Sequence, residues 1–238
     1  MSSIKKNIKE IENKIKLCKK SGQDVSLIAI SKYFPKEKIQ QAINAGHSIF
    51  GENKVQEAKL KWQSLKRENL NIKLHLVGHL QSNKAKDAVT IFDTIQTLDS
   101  IKLAKILELE MIKQNKFPEI FIQINIGKEL QKSGIDANNL DNFLHELESF
   151  PKLNICGLMS IAPKNKDSKK YFIETHNLAK KHNLQNISMG MSSDFECAIK
   201  NGANFIRVGS AIFGSQTFAA ATIQAASQTT DTRTGPSR

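Results

Sequence analysis

The stretch Val25-Ser-Leu-Ile-Ala-Ile-Ser-Lys-Tyr-Phe-Pro35 sets the pattern for the whole chain. Five of its first six residues are apolar, the mark of a strand buried on both faces. It ends in Ser31-Lys32, and Pro35 opens a helix where a missing N–H costs nothing. A buried strand, a loop and a helix make the βα unit of a parallel sheet. The lysine at the strand's end has two readings. It is an exit into solvent, or a group with a task, since lysine is almost never fully buried without a partner.

Working outward, the unit recurs. Residues 3–20 carry Ile4, Ile8, Ile11, Ile15 and Leu17 at helical spacing, an extra amphipathic helix ahead of the first strand. After the strand at 25–31 and its helix from 35 to about 45, strands are predicted at 48–53, 73–79, 94–99, 119–126, 153–160, 186–191 and 204–209. Helical patterns follow: to about 67, from Ser82-Asn83, at 101–114 behind an Asp99-Ser100 cap, and at about 137–149, 167–182 and 194–201. Eight such units in 238 residues fit a single closed (β/α)8 TIM-type barrel better than an open sheet. No linker or low-complexity segment interrupts the chain before residue 215, so residues 1–216 are read as one domain. Residues 217–238 form a separate tail. Its first ten residues can make a turn or two of helix, and its Ser/Thr/Gly/Pro-rich end is expected to be disordered.

The net charge of +12 is mostly lysine spread singly along the predicted helices, with no arginine cluster. Aromatics make up only 6% of the chain, so the stacking platform of a single-stranded nucleic-acid binder is missing and a nucleic-acid partner is not expected. Such a field would still favour a small anionic ligand. No apolar run approaches the roughly 20 residues of a membrane span. Cys18, Cys156 and Cys197 are an odd number without CxxC spacing, which indicates neither a disulfide framework nor a zinc site and fits a cytoplasmic protein.

In a barrel of this kind all strand C-termini meet at one face, where sites are built. Strand 1 delivers Lys32, strand 2 Gly51-Glu-Asn53, strand 3 Gly78-His79, and strand 6 Met159-Ser160. Strand 7 delivers Met189-Gly-Met-Ser-Ser-Asp194, and strand 8 Arg207-Val-Gly-Ser210. The loops Gly190-Met-Ser-Ser193 and Gly209-Ser210 each lead into a helix start, as turn formers and caps or as a phosphate cup, and the repetition favours the cup. A phosphate cup opposite a strand-end lysine is the requirement of pyridoxal 5'-phosphate (PLP), which takes a lysine amine for its Schiff base. Arg207 points inward and would face the pyridine nitrogen. A cation there disfavours ring protonation and leaves a weaker electron sink.

Ala29-Ile-Ser-Lys32, Gly51-Glu-Asn-Lys-Val-Gln-Glu57, His75-Leu-Val-Gly-His-Leu-Gln-Ser-Asn-Lys84, Gly157-Leu-Met-Ser160, Ser188-Met-Gly-Met-Ser-Ser-Asp194 and Arg207-Val-Gly-Ser-Ala-Ile-Phe-Gly214 closely resemble the pyridoxal phosphate homeostasis protein family, related to the barrel domain of alanine racemases. The resemblance runs from about 25 to 214, in order. It implies Lys32 as the Schiff-base lysine, Ser192, Gly209 and Ser210 on the phosphate, Arg207 at the pyridine nitrogen and Asn53 lining the site. Met189 and Gly190 belong to the same cofactor-binding set, although the Met189 side chain reads as core filler. Lys132, in Lys-Ser-Gly, matches a family lysine near the pocket. Two departures stand out: Tyr33-Phe34-Pro35 replaces the family's Thr-Lys-Pro, and Ser215-Gln216-Thr217 replaces its Arg and aromatic.

Two functions remain. One is a PLP-binding protein for storage or delivery of the cofactor, with apo-PLP enzymes as partners. The alternative is a PLP-dependent amino-acid racemase, which needs a base on each face of the cofactor. Related racemases take the second base, a tyrosine, from another domain, and Tyr33 and Tyr171 lie in no matching motif. The binding protein is favoured, and a monomer is expected without a racemase-type second domain. His75 and His79 are expected on one face of a strand as packing residues, and Glu52 and Asp194 as helix-start capping or dipole partners.

Overall fold

The alternation of apolar strand and amphipathic helix resolves as a closed ring. The structure, a computed structural model, describes residues 3–129, 131–164 and 166–214. Strands β1 (Ser26–Ile30), β2 (Ile49–Glu52), β3 (Lys73–Leu76), β4 (Thr94–Leu98), β5 (Glu119–Ile124), β6 (Asn154–Ser160), β7 (Asn186–Ser188) and β8 (Phe205–Val208) pair in sequence order and in parallel. The ring closes with Ile28 opposite Arg207 and Ala29 opposite Val208. Helices α2 (Lys36–Asn44), α3 (Val55–Glu68), α4 (Ala85–Ile91), α5 (Ile101–Gln114), α6 (Leu140–Leu147), α7 (Ser168–Lys181), α8 (Phe195–Lys200) and α9 (Ser210–Phe213) follow the strands in turn. Single 3-10 turns lead into α4 and α6. This is the (β/α)8 TIM-type barrel expected from the sequence.

The extra helix α1 (Ser3–Cys18) packs on α2, α8 and α9, over the seam where β8 meets β1. Ile4, Ile8, Ile11 and Ile15 form its buried stripe, each worth about 1.5–3 kcal/mol in apolar burial. Leu17 is 85% exposed, because two residues past Ile15 the helix has turned it away from that stripe. Ser100 caps α5, accepting from the Leu103 N–H at 3.3 Å, as the sequence indicates.

Inside the ring, residues two apart on a strand share a face. His75 of β3, Phe121 of β5 and Phe205 of β8 meet across the lumen, with ring centroids 5.8 Å and 5.6 Å from Phe205. Three strands that are not neighbours in the sheet touch only through a filled interior, so the barrel is packed, not a pore. Leu27, Ala29, Ile206 and Val208 face the helices and join the main apolar core. Ile28 and Ile30 are on the other face, and the same alternation carries Lys32 toward the lumen at the mouth.

Candidate functional site

Lys32 follows β1 in a turn, with Tyr33 next to it at φ 64. It is half-buried, and burial lowers its pKa below the ordinary lysine value, while Glu57 and Glu52 pull it back up and Lys164 adds to the lowering. The Lys32 ammonium stands 5.9 Å from the Tyr33 ring centroid. A partly desolvated amine at the mouth of a barrel is a nucleophile in waiting.

Behind it, between the sheet and α3, lies an ionic cluster. Glu52, at the end of β2, is fully buried. Its Oε1 accepts from Ser31 Oγ at 2.7 Å, Trp62 Nε1 at 3.0 Å and Lys61 Nζ at 2.7 Å, while Oε2 is buried without a hydrogen-bond partner. Burial drives its pKa up, against the pull of Lys61. Glu52 is therefore not the helix-start dipole partner expected from sequence: β2 ends there, and α3 begins only at Val55. Lys61 donates also to the Ser31 carbonyl and to Glu57, both at 2.8 Å. Glu57 in turn accepts from the Tyr33 N–H at 2.6 Å.

Across the mouth the character changes. Arg207, in the lumen-facing register of β8, is 5% exposed. It donates through Nη1 to Ser188 Oγ at 2.7 Å and through Nη2 to the Ser160 carbonyl at 2.8 Å. Ser188 donates to Gln96 Oε1 at 2.7 Å, and the Gln96 amide lies 3.0 Å from His75 Nδ1. With its amide oxygen occupied by Ser188, Gln96 presents its NH2 to His75, which fixes Nδ1 as acceptor and leaves the proton on Nε2. Burial brings His75 down to about 4 and Arg207 down to about 10, so at neutral pH the imidazole is neutral and the guanidinium charged. The Arg207 fork thus rests on two neutral oxygens.

The β7 loop is built for close approach. Gly190 has φ 89, and a Cβ there would lie 2.5 Å from Ala198 Cβ, so only glycine fits. Its carbonyl accepts from the Arg207 N–H at 3.0 Å. Asp194 precedes α8 but makes no side-chain cap. Its carboxylate turns back to the Met191 N–H at 2.7 Å and shapes the loop instead. Ser192 and Ser210 are exposed, and Gly209 sits against the Ile30 carbonyl, 3.2 Å from where a Cβ would be. Met189 is fully buried in the apolar core, its N–H donating to the Phe205 carbonyl at 3.1 Å.

A cleft of about 230 Å³ opens on the β2–β6 side of the same face, lined by Asn53, Gly78, His79, Gln123, Lys132 and Ser133 among others. Lys132 pairs with Glu129 there. β3 ends at Leu76, so His79 lies in the loop and does not share a strand face with His75, contrary to expectation. His79 Nδ1 is instead 3.4 Å from Asp99 and 3.3 Å from Ser133 Oγ. Both contacts use one nitrogen, so the three residues do not form a relay. Among the described residues no group of His, Cys, Asp and Glu could hold a metal, and no helix is long and apolar enough to cross a membrane.

Sequence reasoning placed Lys32, Asn53, Gly190, Ser192, Arg207, Gly209 and Ser210 at strand ends of one face, and the structure has them there. It missed the group Glu52, Glu57, Lys61 and Trp62. The available signal was the i,i+4 pair Glu57–Lys61 on α3, one turn after an apolar strand ending in a carboxylate. It also missed Ser188, Gln96 and His75 as the support of Arg207. Cys18, Cys156 and Cys197 are half-buried free thiols, and the readings of residues 215–238 fall outside the described residues.

The alanine racemase N-terminal domain family matches residues 1–217. The pyridoxal phosphate homeostasis protein of Pasteurella multocida is 35% identical over 230 residues, covering 91% of this chain and 99% of its own length. That of Escherichia coli K12 is 32% identical over 231 residues, covering 92% and 99%. PipY of Synechococcus elongatus PCC7942, solved without PLP, superposes with a TM-score of 0.81 at 34% identity, over 89% of this chain and all of its own. The same protein solved with PLP bound gives 0.77. Alanine racemase of Clostridium difficile 630, at 14% identity, TM-score 0.69, 90% of this chain and 57% of its own, shares the fold. The chain belongs to the pyridoxal phosphate homeostasis protein family, built on the alanine racemase N-terminal barrel.

Proposed function

We propose that this protein binds PLP at the C-terminal mouth of the barrel, as a Schiff base on Lys32, and serves PLP homeostasis by storing or delivering the cofactor rather than by turnover. The observation that carries this reading is the pairing of a half-buried amine with lowered pKa at the end of β1 with a buried guanidinium on the adjacent β8. When bound, the cofactor would supply an electrophilic carbonyl to the amine and a hydrogen-bond acceptor to Arg207. Asn53 lines the mouth, and the Gly190–Ser193 and Gly209–Ser210 loops offer N–H groups and hydroxyls to the phosphate, with Met189 as the packed base of the first loop. PipY, of the same fold and 34% identical, is known with PLP bound.

Two features favour holding over turnover. A guanidinium supported by neutral oxygens keeps a pyridine nitrogen unprotonated and weakens it as an electron sink. The second base of a racemase also has no obvious source. Tyr171 is buried in the α7 packing layer, and Tyr33 sits beside Lys32 rather than opposite it. Delivery to apo-PLP enzymes, a monomeric state and a cytoplasmic location, which the three free thiols suit, complete the reading.

Borohydride treatment after incubation with PLP, followed by peptide mass mapping, tests it. The wild type gains one pyridoxyl group on Lys32 and Lys32→Ala gains none. Fixation elsewhere, or in neither protein, refutes the assignment. Deuterium wash-in at the α-carbon of alanine in D2O, faster than with free PLP, would instead establish the racemase.

A further inference from the structure

Lys32 is gripped from both sides by one charged pair on α3. The carbonyl of Ser31, the residue before it, accepts from Lys61 at 2.8 Å. The N–H of Tyr33, the residue after it, donates to Glu57 at 2.6 Å. Lys61 and Glu57 are bound to each other at 2.8 Å, one helical turn apart. Glu52 anchors the arrangement from below: it holds Lys61 at 2.7 Å, the Ser31 hydroxyl at 2.7 Å and the Trp62 indole at 3.0 Å.

The turn so gripped is one the chain would not choose unaided. Tyr33 has φ 64, a conformation unfavourable for a non-glycine residue. A charge-assisted bond to its N–H offsets that strain. The left-handed residue turns the chain directly after Lys32. We infer that Glu57 is a positioning residue for Lys32: its carboxylate holds the Tyr33 turn directly and, paired with Lys61, brackets the lysine backbone from both sides.

The charged groups facing Lys32 are Glu57 from α3, Glu52 from β2 and Lys164 from the loop after β6, with burial opposing the two carboxylates. Glu57 leads the two that raise its pKa. Glu57→Gln keeps an oxygen for the Tyr33 N–H and removes the charge. The Lys32 pKa then falls further. A substitution that only loosened the fold would relieve burial and move it the other way, which separates positioning from general damage.

The inference rests on the proposed role of Lys32 but is tested in the cofactor-free full-length protein. Failure to bind PLP and failure of the clamp are therefore separate results. Amine acetylation is followed over a pH series by peptide mass mapping, with exposed Lys9 in the same digest as reference. In Glu57→Gln the Lys32 midpoint shifts to lower pH, and labelling at a fixed pH below it is several-fold faster than in wild type, each tenfold gain being one pH unit. An unchanged or raised midpoint overturns the inference. Should that variant not fold, hydrogen exchange in the wild type decides. The Tyr33 amide exchanges many-fold slower than an open turn if Glu57 holds it, and exchange at the open-turn rate overturns the clamp.

Discussion

The two sides of the barrel mouth solve the same problem, a buried cation, by opposite means. On the β1–β2 side, Lys61 sits among carboxylates, so charge is met by charge. On the β7–β8 side, Arg207 donates to a serine hydroxyl and a carbonyl, with Gln96 and neutral His75 behind the serine and the Asp194 carboxylate acting on it through space. A buried ion pair is costly to break because it leaves an uncompensated charge, though it adds little over an apolar replacement. A buried cation on neutral acceptors keeps unspent electrostatic attraction for whatever reaches it. The first side therefore works as scaffold for Lys32, and the second remains receptive to an acceptor atom or an anion. The difference teaches that the mouth is polarised before any ligand arrives.

The contrast can be broken or sharpened in three ways. Trp62→Ala strikes the ionic side hardest. The indole is fully buried against Phe50 at 4.9 Å and donates to Glu52, so its loss costs about 3–5 kcal/mol, read as a lowered urea midpoint at constant slope.

The pH dependences of the two sides run in opposite directions. His75, lowered to about 4, gives stability that is complete above pH 6.5 and is lost as pH falls toward about 4, a change of about 3 kcal/mol. Glu52, raised by burial, does the reverse, its contribution falling as pH climbs past 4.5 through the raised value. Urea titrations from pH 4 to 7 should show a flattened acid limb in His75→Gln and a steeper rise with pH in Glu52→Gln. Identical slopes in all three proteins would erase the distinction.

Arg207→Lys is the mildest. A single ammonium cannot reach Ser188 and Ser160 together as the guanidinium fork does, and the loss of one charge-assisted bond costs about 2 kcal/mol in the same assay.

Much of this was legible from the chain. Apolar runs of strand length between amphipathic helices give eight units, and eight parallel units close. Strand ends are then fixed at one face, which is why Lys32, Arg207 and the two glycine loops could be placed at it from the chain alone. What escaped is what long-range register decides. Glu52 follows a strand and precedes a helix, and nothing local distinguishes an exposed dipole partner from a carboxylate sealed under Trp62. His79 continues an apolar-looking run past Leu76, but pairing to β4 involves only His75 and Leu76, so the strand stops there. Gln96, Ser188 and His75 come from three strands, and their chain of hydrogen bonds exists only across the lumen.

The seam between β1 and β8 has a consequence for synthesis. Lys32 lies near the beginning of the described chain and Arg207 near its end, and they come to one barrel mouth only because β1 pairs with β8 when the ring shuts. A ribosome must deliver nearly every unit before both halves of the mouth coexist, and closing so long a loop is among the slow events of folding. A truncated or half-made chain would carry the amine without the guanidinium. The amine and the guanidinium therefore stand at one mouth only in a finished barrel.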